Sequence, residues 1–192
     1  IALCNIKSVN YSKLSLAFDV KADSSSSCRR IQRFMAKADF SMDWVAKLIF
    51  SLLPDNKSVV LLMDRTNWQF GEKNINILML GVSYKNIAFP LMFKMLDKKG
   101  NSNTDERIGL LQNFAKLFGK DCIDCLLADR EFVGEKWLKF PNDNNIRYHI
   151  RIRNNFMIYL WYKQKEIKAF HLFNQLKPNQ FSHYPKIVRM HG

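Results

Sequence analysis

Val59-Val60-Leu61-Leu62-Met63-Asp64-Arg65 is the stretch on which the fold turns. Its first five residues form an unbroken apolar run, β-branched at the start. That is the pattern of a central strand buried on both faces, and it ends in an acid, Asp64. Leu126-Leu127-Ala128-Asp129-Arg130 nearly repeats it. A second buried strand is therefore expected at 125–128, ending in Asp129. In an open α/β sheet, ligands gather outside the carboxyl ends of the strands. If the two strands are neighbours, both carboxylates face one cleft. A lone Asp where a strand breaks into a loop is most often a turn residue; two in matching contexts favour a site.

Working outward, strands are expected at 75–83 and 88–94, with Tyr84-Lys85-Asn86 as the hairpin turn between them. A polar loop, 97–103, leads to a helix that Asn103 or Thr104 can cap. Asp105 and Glu106 suit its first turn and Gly119 ends it; Ile108, Leu111, Phe114 and Phe118 would form its apolar stripe. A short helix at 134–140 and a strand at 145–152 follow. The remainder reads as hairpin strands at 156–162 and 167–173 around a polar turn at 163–166. Upstream, Leu14, Ala17 and Phe18 sit at helical spacing. A polar break is expected over 22–27, then a basic helix at 27–38 with Ile31, Phe34 and Met35 on its apolar side. Arg29, Arg30 and Arg33 fall on the other side, near the first turn, where they oppose the helix dipole; a phosphate bound there would reverse that sign, and a solvated basic face is the alternative. A third helix is expected at 41–53, stopped by Pro54. Periodicity by itself licenses an α/β domain. Three hairpin-linked strands, then a helix and a further strand, follow the order of a ribonuclease-H-like core.

Hydrophobic residues make up 47% of the 192, enough for a packed core. No run approaches the ~18 apolar residues of a membrane span. The net charge of +13 favours polyanionic partners, nucleic acid first among them. Residues 147–192 carry nine Lys/Arg against one acid, Glu166, with Tyr148, Phe156, Tyr159, Trp161 and Tyr162 interleaved. Such a mixture suits a surface that tracks phosphates and touches bases; a half-buried sheet with a cationic outer face is the alternative. Cys122-Ile123-Asp124-Cys125 is a lone C-x-x-C leading into a strand, and core or surface thiols in a reducing compartment are the expectation. His149, His171, His183 and His191 show no metal-ligand spacing and read as sheet or loop histidines.

Leu62-Met63-Asp64-Arg65-Thr66-Asn67-Trp68 resembles the first acidic motif of bacterial insertion-sequence transposases of the DDE class, in the group whose core carries a β-strand insertion. Leu127-Ala128-Asp129-Arg130-Glu131-Phe132-Val133-Gly134, with Trp137, resembles that group's second motif. Lys98-Lys99-Gly100-Asn101-Ser102-Asn103-Thr104-Asp105-Glu106-Arg107 is similar to the loop and helix start between them. Cys28-Arg29-Arg30-Ile31-Gln32-Arg33-Phe34 resembles the end of the group's helical DNA-binding region. The resemblance covers about 9–153. It implies a ribonuclease-H-like core, Asp64 and Asp129 as catalytic metal ligands, Mg²⁺ (Mn²⁺ as a substitute), and strand cleavage and transfer at the ends of an insertion sequence. Partners would be double-stranded DNA, as transposon ends and target, and a second copy of the chain on DNA; the place of action would be the bacterial cytoplasm, at chromosome or plasmid. In a two-ion site one ion sharpens the attacking oxygen and the other steadies the leaving one; this asks for oxygen ligands around ions about 3.5–4 Å apart. Arg29, Arg30, Arg33, Arg65, Arg130, Arg151 and Arg153 are the expected DNA contacts.

The resemblance also implies a third acid, on a helix beyond the β insertion and set among Tyr, Arg and Lys at fixed spacing. After Asp129 the chain offers only Glu131, Glu135 and Glu166, none in that pattern. The chain is thus expected to stop within the insertion, catalytically incomplete, as a fragment or as the product of a decayed element. The expected organisation is a basic helical region at 1–54, an incomplete catalytic core at 55–153 and the start of a β insertion at 154–192. Two alternatives stay open: a DNA-binding remnant without catalysis, and another two-metal nuclease of the same fold.

Overall fold

The computed structural model describes residues 2–18, 21–186 and 188–190, and for Phe70 the backbone alone. His191 lies outside the described residues. The chain forms two compact units, 1–41 and 42–192. In the first, α1 (Ala2–Ile6) and α2 (Tyr11–Leu16) precede a longer helix, α3 (Ser24–Lys37). Asn10 caps α2 by accepting from the Lys13 backbone N–H at 3.1 Å. The serine run expected as a break is instead the first turn of α3. Arg29, Arg30 and Arg33 therefore stand beyond that turn, exposed. They therefore neither oppose the helix dipole nor need a phosphate at the helix N-terminus to offset it, because the dipole effect fades within the first turn. Ile31 is buried, whereas Phe34 and Met35 are exposed.

The second unit begins with α4 (Met42–Ser51), then β1 (Val59–Phe70), β2 (Lys73–Tyr84) and β3 (Ile87–Met95). It continues with α5 (Thr104–Phe118), β4 (Ile123–Ala128), α6 (Glu135–Asp143) and β5 (Tyr148–Ile150). The five strands lie in the order β3-β2-β1-β4-β5. The β1/β2 and β2/β3 pairs are antiparallel; β1/β4 and β4/β5 are parallel. That order with those directions is the ribonuclease-H-like sheet. Ala46 and Phe50 of α4 enter its core, so this helix belongs with the sheet and not with the N-terminal region in which it was expected.

Alternation along the strands sorts the residues by face. Leu61 and Met63 share a face with Leu80, Val82 and Leu126, and all are at most 2% exposed. Leu111 and Phe114 of α5 and Trp137 of α6 belong to the same cluster. The buried residues of α5 are Arg107, Leu110, Leu111 and Phe114, and Ile108 and Phe118 pack partly buried against the same core, so the expected stripe faces the sheet and gains Leu110 and an arginine. A reciprocal capping box starts this helix: Asn103 Oδ1 accepts from the Glu106 N–H at 2.8 Å, and a Glu106 carboxylate oxygen accepts from the Asn103 N–H at 2.7 Å. Burial would raise the Glu106 carboxyl, but its hydrogen bonds to Lys98 and Asn103 hold it below the usual range.

Three expectations are corrected. Strand β1 does not end at Asp64; it runs to Phe70, because β2 pairs every residue from Asp64 through Phe70. The polar Thr66-Asn67-Trp68-Gln69 stretch is thus an exposed part of β1, which with β2 runs on beyond the last β2–β3 pair, Ile77 with Met95. The strand expected over 145–152 is the short β5. Beyond it, β6 (Met157–Leu160), β7 (Lys165–Lys168), a helical turn α7 (Phe170–Phe173) and β8 (Val188–Met190) replace the expected simple hairpin. They form a separate sheet, β7-β6-β8, over Ile158, Leu160 and Ala169.

The β2–β3 turn has Lys85 and Asn86 at φ 49° and 62°, the left-handed pair that a two-residue hairpin demands. The ladder slips between Leu80 and Gly81. A Cβ on Gly81 would lie 2.9 Å from the Phe89 carbonyl oxygen. Gly81→Ala is expected to destabilise the chain by about 1–3 kcal/mol, the usual cost of overpacking. A lowered urea midpoint at unchanged slope would show it; an unchanged midpoint would refute it.

Candidate active site

The last paired residues of β1 and β4 are Met63 and Ala128. The next residue of each chain segment is an aspartate, Asp64 on β1 and Asp129 just past β4, and both line one groove. Parallel neighbours with matched register therefore bring the two acids together, at the carboxyl end of β4 where ligands gather. An open groove of about 850 Å³ holds both, floored by Leu62 and Leu127. Both aspartates are exposed. One Asp64 oxygen accepts from the Arg65 backbone N–H at 2.7 Å, which leaves the carboxylate lone pairs toward solvent for a ligand.

Strand β5 adds a third wall. His149 pairs with Leu127, and the Arg151 N–H donates to the Ala128 carbonyl at 3.2 Å. His149 and Arg151 both line the groove. Arg151 was an expected DNA contact. His149 was read as an ordinary sheet residue; only its register with Leu127 reveals its place, and no spacing in the sequence announces it. Arg130 follows Asp129 and is exposed, as is Arg153. Arg29, Arg30 and Arg33 belong to the other compact unit.

Arg65 is a correction. Successive side chains of a strand point to opposite faces, so Arg65 turns away from Asp64 into the helix-covered side. Its side chain is 10% exposed, and Nε and Nη2 each donate to Glu131 at 2.9 Å. Nη1 donates to Asn76 at 3.3 Å and Nη2 to Asn101 at 3.2 Å. The hydrogen bond to Glu131, with the nearby charges of Glu131 and Asp64, raises the guanidinium pKa above its ordinary value. A guanidinium so engaged is not a free phosphate grip.

Arg107 is an interior arginine that does not line the groove. It is 5% exposed. Its guanidinium donates to the Ser102 hydroxyl at 2.8 Å, the Ser102 carbonyl at 2.6 Å and the Glu131 carbonyl at 3.2 Å. It also lies 4.9 Å from the centre of the Phe132 ring. Burial depresses its pKa. The signal available was an Arg in register with the apolar stripe of α5.

Among the described residues no group of three His, Cys, Asp or Glu could hold a metal ion. Glu131 is committed to Arg65, and Glu135 accepts from Arg189 at 2.9 Å. Glu166 sits on β7 opposite Tyr159, in the other sheet. The two aspartates are hard oxygen donors that fit a divalent cation such as Mg²⁺, and they leave a two-ion site short of a carboxylate. Burial pushes the thiols of Cys122 and Cys125 up from their ordinary value. In the tail, the Tyr184 hydroxyl donates to that of Tyr162 at 2.8 Å, and the Lys186 ammonium lies 3.7 Å from the centre of the Tyr162 ring. The bond to Tyr162 pushes the Tyr184 phenol up to about 12.

No family model and no curated protein matches the sequence. Solved structures do. The catalytic core domain of HTLV-2 integrase in complex with magnesium matches at 12% identity and TM-score 0.39, covering 50% of this chain and 61% of that one. The simian T-cell lymphotropic virus intasome in complex with PP2A regulatory subunit B56 gamma matches at 9% identity and TM-score 0.41, covering 78% of this chain and 50% of that one. The Mos1 strand transfer complex matches at 10% identity and TM-score 0.34, covering 76% of this chain and 54% of that one. The chain thus spans between half and about three fifths of these proteins. Strand order and direction carry the fold assignment. No helix among the described residues is long and apolar enough to cross a membrane.

Proposed function

We propose that this chain carries the catalytic core of a bacterial insertion-sequence transposase of the DDE class and acts in DNA transposition. The observation that carries the reading is the pair Asp64, within β1, and Asp129, just past the end of the neighbouring β4, in one open groove flanked by Arg151. Two carboxylates in one groove, one on a strand and one on the turn beside it, are the oxygen donors that Mg²⁺ takes, and the bound ion would supply Lewis-acid stabilisation of the scissile phosphate. Asp64 and Asp129 would hold the cation. Arg151 and Arg130 would hold phosphate oxygens beside it, Arg153 would extend that contact along the strand, and Leu62 and Leu127 would give the groove a dry floor. Arg29, Arg30 and Arg33 would add phosphate contacts from their own exposed helix face. The substrate is double-stranded DNA at transposon ends and target, with a second copy of the chain on the DNA and Mn²⁺ able to replace Mg²⁺. The site of action would be the bacterial cytoplasm.

A second reading, a DNA-binding module without catalysis, is favoured by one observation. Neither Glu131 nor Glu135 joins the two aspartates.

DNA affinity and metal affinity test the reading separately. Log affinity for duplex DNA is expected to fall steeply with log salt. Arg130→Ala and Arg151→Ala should each lower that slope by about one, as loss of one phosphate contact does. The triple change Arg29→Ala/Arg30→Ala/Arg33→Ala should lower it further, and Asp64→Asn should leave affinity intact or raise it. Affinity indifferent to salt and to these arginines would remove the nucleic-acid reading. Mn²⁺ binding unchanged in Asp64→Asn would remove the metal reading of the groove.

A further inference from the structure

We propose that Arg65 and Glu131 are positioning residues, forming a brace behind the sheet that fixes the separation of Asp64 and Asp129. The inference rests on the metal-binding reading of that groove and adds a role for residues on its far side. Strand β4 ends at Ala128, so no ladder bond places Asp129. It opens a turn in which the Phe132 N–H donates to its carbonyl at 2.9 Å. Something outside the sheet must therefore hold that turn in register with β1. The bond between Arg65 and Glu131 does so. One partner follows Asp64 directly, and the other lies two residues beyond Asp129.

The brace is built for rigidity. Two parallel N–H···O contacts of 2.9 Å make a fork-to-fork pair, which fixes orientation as well as distance. Side-chain exposures of 10% and 22% keep water from competing freely. Each end is anchored in turn. Asn76, 2% exposed, accepts from Arg65 and donates to the carbonyls of Lys98 and Gly100 at 3.0 and 2.9 Å. Arg107 grips the Glu131 carbonyl and lies over Phe132. Alternation along β1 explains why the two members of Asp64-Arg65 divide the work: one side chain faces the groove, and the next faces the brace. The second Asp-Arg pair shares only the first half of this, since Arg130 is exposed and its neighbour Glu131 supplies the partner. A lysine could supply the charge of Arg65 but not the planar fork.

Mn²⁺ affinity of the full 192-residue chain, read from the electron paramagnetic resonance signal of free Mn²⁺, tests this alongside amide hydrogen exchange at 129–132. Glu131→Gln and Arg65→Lys are each expected to weaken Mn²⁺ binding about tenfold, as loss of a partner behind the ligands does. Both should also speed exchange at 129–132 about tenfold relative to the core of β2. Arg65→Lys keeps the charge and serves as the mild variant if Glu131→Gln folds poorly. Asp64→Asn is the control for the metal reading: it should abolish binding without changing exchange at 129–132. Affinity within twofold of wild type in both brace variants, with Asp64→Asn abolishing binding, overturns the brace. If Asp64→Asn leaves Mn²⁺ binding unchanged, the metal reading fails, and exchange alone decides the brace. Faster exchange confined to 129–132 then supports it, and uniform exchange overturns it.

Discussion

Phe132→Ala is expected to destabilise the chain by about 3–5 kcal/mol, the range for truncating a buried aromatic ring. The ring is fully buried, in the same cluster as Trp137, Leu111 and Leu126. It also lies beneath the Arg107 guanidinium at 4.9 Å. Its removal leaves a cavity where the turn after Asp129 meets α5, and it strips Arg107 of the face that offsets part of its desolvation. The cost therefore exceeds that of the lost hydrophobic contact alone. Urea unfolding measures it, with Arg130→Ala as the comparison. Arg130 is exposed two residues away and should shift stability by no more than about 0.5 kcal/mol. A loss below about 1 kcal/mol in Phe132→Ala would show that the turn collapses to fill the space. The motif's aromatic would then be a minor part of the core.

The parts of this fold that were legible in the sequence are those whose pattern one local environment decides. Val59 to Met63 and Cys125 to Ala128 read as strands because central strands are apolar on both faces. Helix α5 read well because Asn103, Glu106 and Gly119 each do a terminal job that few other residues do. Asp64 and Asp129 were legible as a pair because their strand contexts match. What failed depends on partners distant in sequence. Thr66 to Gln69 has no periodicity of its own and is strand only because β2 pairs it. The first turn of α3 is four serines, residues that favour loops and caps until a helix enlists them. Arg65 looked like a phosphate contact from its place beside Asp64. Its acceptor, Glu131, is 66 residues away, and only the alternation of the strand sends the side chain there. His149 entered the groove through the register of β5 with β4, which no single-sequence pattern encodes.

The 192-residue chain alone is expected to show no Mg²⁺-dependent nicking of supercoiled DNA above background. The reason is electrostatic. A two-ion site concentrates about four positive charges within about 4 Å. The carboxylates of Asp64 and Asp129 with one scissile phosphate offset only about three of them, and Arg151 at the rim adds to the excess. A further carboxylate would correct the balance, but the nearest candidates in sequence are engaged elsewhere. Glu131 is held by Arg65 on the covered side of the sheet, and Glu135 pairs at the surface with Arg189 of β8. Drawing Glu131 into the groove would break a charge-assisted fork and leave a largely buried Arg65 guanidinium unpaired, a cost of about 3–5 kcal/mol where such a pair is fully buried. Mn²⁺, less demanding of geometry, belongs in the same assay as the more permissive ion. Wild type and Asp64→Asn should be indistinguishable with either metal. Robust cleavage by wild type that vanishes in Asp64→Asn would mean that an acid of this chain completes the site after all. Glu131→Gln and Glu135→Gln would then identify which, and loss of cleavage in Glu131→Gln with Mn²⁺ affinity retained would move Glu131 from the brace into the catalytic set.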